Sequence, residues 1–389
     1  MSQLKKIFFV FGTRPEAIKM APAVKELKTH KKNFMVKVCV SAQHREMLDQ
    51  VLEIFNIKPD YDLNLMKKGQ SLEHITSKCL LGFTEIFKKD RPDLILVHGD
   101  TTTSFAAALS AFYQRIPVGH VEAGLRSFDL NNPYPEEANR LLTDRLCDLF
   151  FAPTYLSKQN LLTEGIPKDK IYITGNTVID ALFMAIKKKR SFENPELKKF
   201  FNNKQNTHNA RLVLVTAHRR ENFGKPLEDI FLALKEIADK YEDVKIIYPV
   251  HMNPNVLIAA NRILSNHKKI HLIPPVNYLD LINLMKMSYL IITDSGGIQE
   301  EAPALGKPVL VLRKVTERPE GVKAGTVKIV GTNRQKIFNS IKELLENNKA
   351  YNAMAKARNP YGDGKAGARI AQAIKYYFSL SNTKPIDYH

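Results

Sequence analysis

Acidic side chains and a histidine occupy positions from which they could transfer protons. Asp100, Glu122 and His218 each follow a predicted apolar strand, and Glu136 lies at the start of a predicted helix. Carboxyl and imidazole groups are the usual general acids and bases of enzymes. The alternative for each residue taken singly is a helix cap or a surface role. Glu136 and Arg140 are four residues apart, so these two could also form an ordinary helical ion pair.

Basic residues follow predicted strands at helix starts, where the helix dipole disfavours positive charge. Arg14 and Lys19 follow the first strand in this way, and His218 with Arg219 and Arg220 follows a later one. Positions that break a local rule are often functional. We therefore expect these groups to face an anion.

A Ser-Gly-Gly turn at Ser295, Gly296 and Gly297 separates an apolar strand from a predicted helix. Glycines let backbone N–H groups approach a ligand, and a helix start after a strand favours phosphate. Glu300 and Glu301 would repel a phosphate that they faced directly, so a carboxylate here is better suited to accept hydroxyl hydrogen bonds, as from a ribose. The alternative is a helix capped by Ser295 with no ligand.

Several common sites are missing from the sequence. It contains no Walker motif, no G-x-G-x-x-G fingerprint and no serine nucleophile elbow. His98, His120, His218 and His251 lack the short spacings of zinc motifs. The residues alone indicate an enzyme or receptor for a phosphorylated or nucleotide-linked ligand.

Composition narrows the class of protein. The 389 residues exceed what one core usually holds and fit two domains. The net charge is +18, but the lysines are scattered and form no nucleic-acid-binding motif, so we expect no nucleic-acid partner. No apolar run is long enough to span a membrane, and the MSQLKK start does not resemble a signal peptide. Three widely spaced cysteines favour reduced thiols, and together these features predict a cytoplasmic protein.

Apolar strands alternate with helices along the whole chain, which predicts an α/β fold of two doubly wound, mostly parallel sheets. We expect an N-terminal Rossmann-like domain over residues 1–174, joined by a C-terminal helical segment over 366–389. A second Rossmann-like domain is expected over residues 175–365. Two such domains facing each other would leave a central cleft, where ligands commonly bind.

The sequence resembles the non-hydrolysing UDP-N-acetylglucosamine 2-epimerases of bacteria and archaea. The segments that carry the resemblance run in family order over nearly the whole chain: FGTRPEAIKMAP (11–22), AQHREML (42–48), HGDTTTS (98–104), HVEAGLRS (120–127), PEEANR (135–140), GNTVIDAL (175–182), TAHRREN (216–222), PVHMNPNV (249–256), TDSGGIQEEAP (293–303) and TERPE (316–320). The resemblance implies a GT-B-like fold, a homodimer, and no metal or redox cofactor. It also implies reversible conversion of UDP-GlcNAc to UDP-ManNAc, in which UDP is eliminated to give 2-acetamidoglucal and is then added back. The product would supply ManNAc for cell-surface polysaccharide.

The resemblance also assigns roles to residues. Positions that match the phosphate side of the family site are Arg14, Lys19, His218, Ser295, Gly296 and Gly297. Glu301 matches the ribose contact, and Arg318 matches an arginine near the sugar. The proposed acid and base residues of the family match Asp100, Glu122 and Glu136. Which carboxyl takes the proton stays open. His218 could instead protonate the leaving phosphate, and Arg140 could orient Glu136.

Members of the family are often activated by their own substrate at a second site. The positions that match this region are Gln43, His44, Arg45 and His251.

Four rival functions remain at this point. Relatives that act on UDP-diacetamido-uronic acids tend to carry a first motif closer to GARPQFIK, whereas this chain has GTRPEAIK. Hydrolysing 2-epimerases lack the lysine that stands here as Lys19. A GT-B glycosyltransferase would share the fold, and a nucleotide-sugar sensor would share the binding site; the acidic residues argue against both.

Overall fold

The apolar runs of the sequence form the strands of two parallel sheets in the computed structural model, which describes residues 4–42, 45–65, 69–188 and 192–389. The strands are β1 (Lys5–Phe11), β2 (Phe34–Val40), β3 (Tyr61–Asp62), β4 (Leu94–His98), β5 (Val118–Val121), β6 (Leu149–Ala152), β7 (Ile171–Ile173), β8 (Arg211–Thr216), β9 (Val244–Pro249), β10 (Ile270–Ile273), β11 (Leu290–Thr293), β12 (Val309–Val311) and β13 (Val327–Ile329). Three of them, β3, β7 and β13, were not predicted, because edge strands of two or three residues carry too little pattern.

The helices alternate with the strands. They are α1 (Arg14–Thr29), α2 (Arg45–Ile54), α3 (Leu72–Lys89), α4 (Thr102–Tyr113), α5 (Glu136–Arg145), α6 (Tyr155–Thr163), α7 (Thr177–Ile186), α8 (Pro195–Asn202), α9 (Lys204–Thr207), α10 (Lys225–Lys240), α11 (Pro254–Leu264), α12 (Tyr278–Met287), α13 (Gly296–Ala304), α14 (Pro319–Lys323), α15 (Arg334–Glu346), α16 (Asn348–Ala355) and α17 (Ala366–Tyr377). None of the helices in the described part of the chain is long and apolar enough to cross a membrane.

The first sheet has the strand order β3-β2-β1-β4-β5-β6-β7, with parallel pairing throughout. All five residues of β4 are buried, as expected for a strand covered on both faces. The order reverses direction between β1 and β4, which pair with Ile7 opposite Leu94. Ligands of such sheets bind beyond the carboxyl ends of the strands at this reversal.

The second sheet repeats the same plan with the order β10-β9-β8-β11-β12-β13. Its reversal lies between β8 and β11, which pair with Thr216 opposite Thr293. The buried strands β8, β9 and β11 pack against α10, α11 and α15 in one apolar core. The predicted fold class of two doubly wound parallel sheets is therefore confirmed.

The chain divides into two compact units at points that differ from the predicted domain bounds. One unit contains the residues up to Met184 together with Tyr361–His389, and the other is Ala185–Pro360. The first boundary lies after 174 because α7 stays with the first sheet. Its Asp180 accepts hydrogen bonds from the backbone N–H groups of Ala366 (3.2 Å) and Gly367 (2.9 Å), the first residues of α17.

The buried Asp180 carboxyl predicts a pH dependence of stability. Burial raises the pKa of Asp180 to about 6, although the two backbone N–H groups oppose this shift. Because the folded chain then binds a proton more tightly than the unfolded chain, the contribution of Asp180 to stability falls as pH rises from about 4 to about 6. We expect the free energy of unfolding of the wild type to fall by about 1 to 3 kcal/mol relative to Asp180→Asn between pH 4 and pH 7.

Urea unfolding at several pH values, followed by circular dichroism, measures this difference. Asp363→Asn is the matched control, since the ion pair with Arg369 lowers the pKa of Asp363. The difference in free energy of unfolding between the wild type and Asp363→Asn should stay nearly constant from pH 5 to pH 7 and shrink only in more acidic solution. A flat difference for Asp180→Asn over the whole range would contradict the role of burial.

Candidate functional site

The predicted site residues lie beyond the carboxyl ends of strands in both units. In the first unit, the turn that begins at Gly12 follows β1, and Asp100 follows β4. In the second unit, His218 follows β8 and Ser295 follows β11. These are the strands that flank the reversal of each sheet, where ligands are expected. Each unit thus holds one set of candidate groups.

The carboxylate of Glu16 ties together the two loops at the reversal of the first sheet. One oxygen accepts from the backbone N–H groups of Gly12 (3.0 Å) and Thr13 (2.8 Å), and the other accepts from the hydroxyls of Thr101 (2.7 Å) and Ser104 (3.0 Å). Burial raises the pKa of Glu16 above its ordinary value, although these hydrogen bonds oppose the shift. The prediction missed Glu16, although the T-x-x-E capping box at its position was a visible signal.

Gly12 is required at this turn for steric reasons. A Cβ atom on Gly12 would lie 2.1 Å from the Ser41 hydroxyl oxygen and 2.5 Å from that of Thr103. The turn after β1 therefore lies directly against the start of α4, and a side chain at Gly12 would push the two loops apart.

Glu122 lies next to His98 at the carboxyl end of the sheet and is surrounded by polar groups. Its φ of 66° is uncommon for a residue with a side chain, and such backbone strain is often found at functional sites. One carboxylate oxygen, Oε1, contacts the Lys19 ammonium and accepts from Asn176 Nδ2 at 2.7 Å. The other, Oε2, lies 3.4 Å from His98 Nε2. Lys19, which we expected to face an anionic ligand, is thus paired with a carboxylate of its own unit.

Asp100 is held by two residues of α5. Arg140 Nη2 donates to the Asp100 carboxylate, and Asn139 Nδ2 donates to the Asp100 carbonyl oxygen at 3.0 Å. Asp100 does not cap α4, because Thr101 occupies that position and accepts from the Ser104 N–H at 3.1 Å. The side chain of Asp100 is therefore left to form the ion pair with Arg140.

Arg140 does not form the ion pair with Glu136 that helical spacing allowed. The second Arg140 nitrogen, Nη1, lies 3.1 Å from the buried carboxylate of Glu137 instead. Glu137 also accepts from the backbone N–H groups of Ser127 (3.0 Å) and Phe128 (3.1 Å). Glu136 is half-buried and has no hydrogen bond or ion pair to any residue that the structure describes. Helical spacing allowed a pair of Arg140 with Glu136 or with Glu137, and only the fold brings Asp100 within reach of Arg140.

A buried charge network supports the loop that contains Asp100. His120 Nδ1 lies 2.6 Å from Asp144 Oδ1, and His120 Nε2 lies 2.8 Å from the Gly99 carbonyl oxygen. Both bonds can form together only when both ring nitrogens carry a hydrogen. Arg126 donates to the other oxygen of Asp144 at 2.6 Å. Burial raises the pKa of Asp144, but its contacts with His120 and Arg126 outweigh burial and lower the pKa overall.

His218 of the second unit is paired with Asp294, a residue that the prediction did not single out. His218 Nδ1 lies 3.1 Å from Asp294 Oδ1, and Oδ2 accepts from the backbone N–H groups of His218 (2.7 Å) and Arg219 (2.8 Å). Burial raises the pKa of Asp294, but the hydrogen bonds outweigh burial and lower it. The His251 ring stacks on His218, with ring centroids 5.5 Å apart. Asp294 therefore fixes the loop and the orientation of the imidazole.

The helix α13 begins at the Ser-Gly-Gly turn, as predicted, but Ser295 does not cap it. Ser295 occupies the N-cap position without a side-chain hydrogen bond to the helix. Nothing lies within 4 Å of the position of a Cβ atom on Gly296. The first amide groups of a helix lack intrahelical partners, so this open turn has the form of an anion site.

Glu301 is buried in α13, and Arg318 is half-buried at the start of α14. Glu301 lies 6 % exposed and accepts from the Tyr278 hydroxyl at 3.2 Å, so its carboxylate already contacts one hydroxyl group. Arg318 pairs with Glu300. The Glu300 charge is thereby compensated within the unit, which weakens the repulsion that this carboxylate would exert on a phosphate.

The remaining predicted residues are Arg14 and three positions of the predicted activating region, Gln43, His44 and Arg45. Arg14 is half-buried at the first position of α1, and no described residue forms a hydrogen bond or ion pair with it. Arg45 pairs with Asp49 (2.9 Å) and Asp62. Gln43 and His44 lie outside the described residues, so the predicted activating region is described only at Arg45 and His251.

Comparisons with known proteins identify the relatives of this chain. The sequence model of the family described as UDP-N-acetylglucosamine 2-epimerase matches residues 25–375. The UDP-N-acetylglucosamine 2-epimerase of Escherichia coli K12 is 54% identical over 370 residues, which are 95% of this chain and 98% of that protein. A Neisseria meningitidis UDP-GlcNAc 2-epimerase structure bound to UDP-GlcNAc is 52% identical, with a TM-score of 0.82 over 95% of this chain and 99% of that one. The Staphylococcus aureus MnaA structure with UDP is 48% identical, with a TM-score of 0.87 over 99% and 100%.

The adjacent residues Glu136 and Glu137 should respond differently to loss of charge. In the wild type, the buried Glu137 carboxylate accepts hydrogen bonds from two backbone N–H groups and contacts Arg140. Glu137→Gln replaces this carboxylate with a neutral amide. We expect it to lower the free energy of unfolding by about 1 to 3 kcal/mol. Glu136→Gln removes no contact with a described residue and should change stability by less than about 0.5 kcal/mol. Urea unfolding of both variants at pH 7 measures the difference; equal effects would contradict these contacts.

Proposed function

Because the chain belongs to the UDP-N-acetylglucosamine 2-epimerase family, we propose that it is an isomerase that interconverts UDP-GlcNAc and UDP-ManNAc. The observation that carries the proposal is 54% identity, over 95% of the chain, to an enzyme of that name. Asp100 and Glu122 of the first unit support it, because they follow the neighbouring strands β4 and β5, and a sensor or a binding module would have no need for two acid–base candidates there.

The reaction proposed is elimination followed by re-addition. A base removes the C2 proton of the sugar, the C1–O bond breaks, and its electron pair leaves with the UDP phosphate oxygen, giving 2-acetamidoglucal. UDP then adds back to C1 while an acid delivers a proton to the other face of C2. Since C2 is not next to a carbonyl group, stabilising the leaving phosphate is part of lowering the barrier.

We assign the leaving group to the second unit. The start of α13 at Gly296 and Gly297 supplies amide N–H groups and a helix dipole that favour a phosphate. We assign to His218, oriented by Asp294, the donation of a hydrogen bond or a proton to a phosphate oxygen. Glu301, already in contact with one hydroxyl, suits the ribose.

We assign proton transfer at C2 to the carboxyl groups of the first unit. Asp100 contacts the Arg140 guanidinium and Glu122 contacts the Lys19 ammonium, so a cation holds each of these carboxylates in place. Glu136 is the third candidate and differs from them, because no described residue pairs with it. Two faces of C2 need two groups, so at least two of the three residues take part.

A homodimer in the cytoplasm, activated by UDP-GlcNAc at a second site, completes the proposal. Light scattering after gel filtration tests the dimer, since the chain mass is 44.2 kDa. Initial rates of UDP-ManNAc turnover, with and without added UDP-GlcNAc, test the activation. Hyperbolic curves with no lag in the absence of UDP-GlcNAc would count against it.

Incubation with UDP-GlcNAc in deuterated water tests the reaction itself. We expect UDP-ManNAc to appear with deuterium at C2, because the proton removed by the base exchanges with solvent before re-addition. Proton NMR of the sugar resonances follows both the product and the loss of the C2 signal. Free ManNAc would indicate hydrolysis, and the absence of both exchange and turnover would refute the catalytic proposal.

Substitution of Asp100 separates catalysis from binding. Asp100→Asn keeps the shape of the side chain and removes its charge and basicity, so turnover should fall by at least about 100-fold. The affinity for UDP, measured by calorimetry, should change by less than about threefold, since Asp100 is not assigned to the nucleotide. Asp239→Asn, at an exposed carboxylate that pairs with His267, is the control with unchanged turnover. A parallel loss of UDP binding in Asp100→Asn would show that its assignment is wrong.

A further inference from the structure

His98, the last residue of β4, is a buried imidazole without a hydrogen-bond partner in the described part of the chain. Its exposed fraction is 3 %, and neither ring nitrogen forms a hydrogen bond. Leaving a buried donor or acceptor unpaired costs roughly 1 to 3 kcal/mol, so such groups usually have a functional reason. The imidazole also lies next to the candidate acid–base residue Glu122, and this contact offers such a reason.

The contact between His98 and Glu122 is present but incomplete. His98 Nε2 lies 3.4 Å from Glu122 Oε2, which is beyond the usual N–H···O range of about 2.7 to 3.2 Å. Hydrogen bonds that serve catalysis are often long in the unliganded enzyme and shorten when substrate binds. A small change in the distance and angle between the ring and the carboxylate would complete this bond.

His98 differs chemically from the other groups around Glu122. Lys19 and the Asn176 amide nitrogen contact Oε1 and can only donate hydrogen bonds. A neutral imidazole has one donor and one acceptor nitrogen. Burial lowers the pKa of His98 to about 3, and the nearby Glu122 charge opposes this only in part, so the ring is neutral at physiological pH. It can therefore bond to Glu122 in either protonation state of that carboxyl.

We propose that His98 is a positioning residue for Glu122, whose Nε2 holds the Oε2 edge of the carboxyl group while Glu122 takes up and releases a proton. The inference rests on the proposed function, because elimination and re-addition require a carboxyl group that changes its protonation state within one catalytic cycle. Lys19 and Asn176 fix Oε1, and His98 fixes the remaining oxygen without adding a charge. Sequence spacing does not show this, since His98 ends β4 and Glu122 directly follows the neighbouring strand β5.

Two substitutions distinguish the role of Nε2 from simple packing. His98→Gln can place an amide nitrogen near the position of Nε2, whereas the shorter side chain of His98→Asn cannot. We expect His98→Asn to lower kcat for UDP-GlcNAc epimerisation by about 10-fold to 100-fold, with KM within about threefold. His98→Gln should recover a large part of that loss.

The pH profile of kcat provides a second reading. Loss of a donor to the ionised Glu122 should move the limb governed by a carboxyl group to higher pH in His98→Asn, by up to about one unit. The charged or titratable groups that face this pair are Lys19 of α1 and His120 of β5, and both remain in every variant. Equal loss in both variants with an unmoved limb, or no loss in either, would overturn the inference.

The histidine ring signals test the contact without any turnover. In nitrogen-15 spectra of the UDP-bound wild type, labelled at its 11 histidines, the signals absent from His98→Asn should be those of a neutral ring. These signals should shift in Glu122→Gln, and unchanged signals would contradict the contact. A wild type that does not turn over UDP-GlcNAc refutes the proposed function, whereas an active wild type without this pattern of variants refutes only the role of His98.

Discussion

The buried carboxylate of Glu16 is the contact on which the geometry of the first unit depends. It accepts hydrogen bonds from the turn after β1 and from two hydroxyls at the start of α4, so a single side chain joins the loops on both sides of the sheet reversal. Burying a carboxylate is costly unless donors surround it. The close approach of the turn at Gly12 to Thr103 brings those donors together. The conformation of the turn at Gly12 and the compensation of the Glu16 charge therefore depend on each other.

Cations compensate four further carboxylates near the strand ends of this unit. Asp100 and Glu137 share Arg140, Glu122 has Lys19, and Asp144 has both His120 and Arg126. Removing one partner of such a pair leaves an uncompensated charge, which costs more than the pair contributes. The carboxylates are consequently fixed in place before a ligand arrives, and fixed groups need no rearrangement during the reaction.

Sequence patterns predicted what depends on local order along the chain. Strand-then-helix alternation placed Asp100, Glu122, His218 and Ser295 after strands, and the structure has them there. Contacts that depend on which strands and helices become neighbours were beyond those patterns. Helical spacing allowed Glu136 as a partner of Arg140, but the packing of α5 beside the end of β4 gives Arg140 to Asp100. Asp294 could have been found only by knowing that β8 and β11 pair.

The two units show how one topology supports two kinds of chemistry. Both sheets reverse at the same place in their strand order, yet the loops of the first unit carry carboxylates paired with cations, and those of the second carry a helix start and an imidazole. Fold alone therefore determines where groups can be placed and not what they do. The loops also differ in how their charges are compensated. The first unit compensates its own carboxylates, whereas the open turn at Gly296 is the start of a helix whose dipole favours an anion.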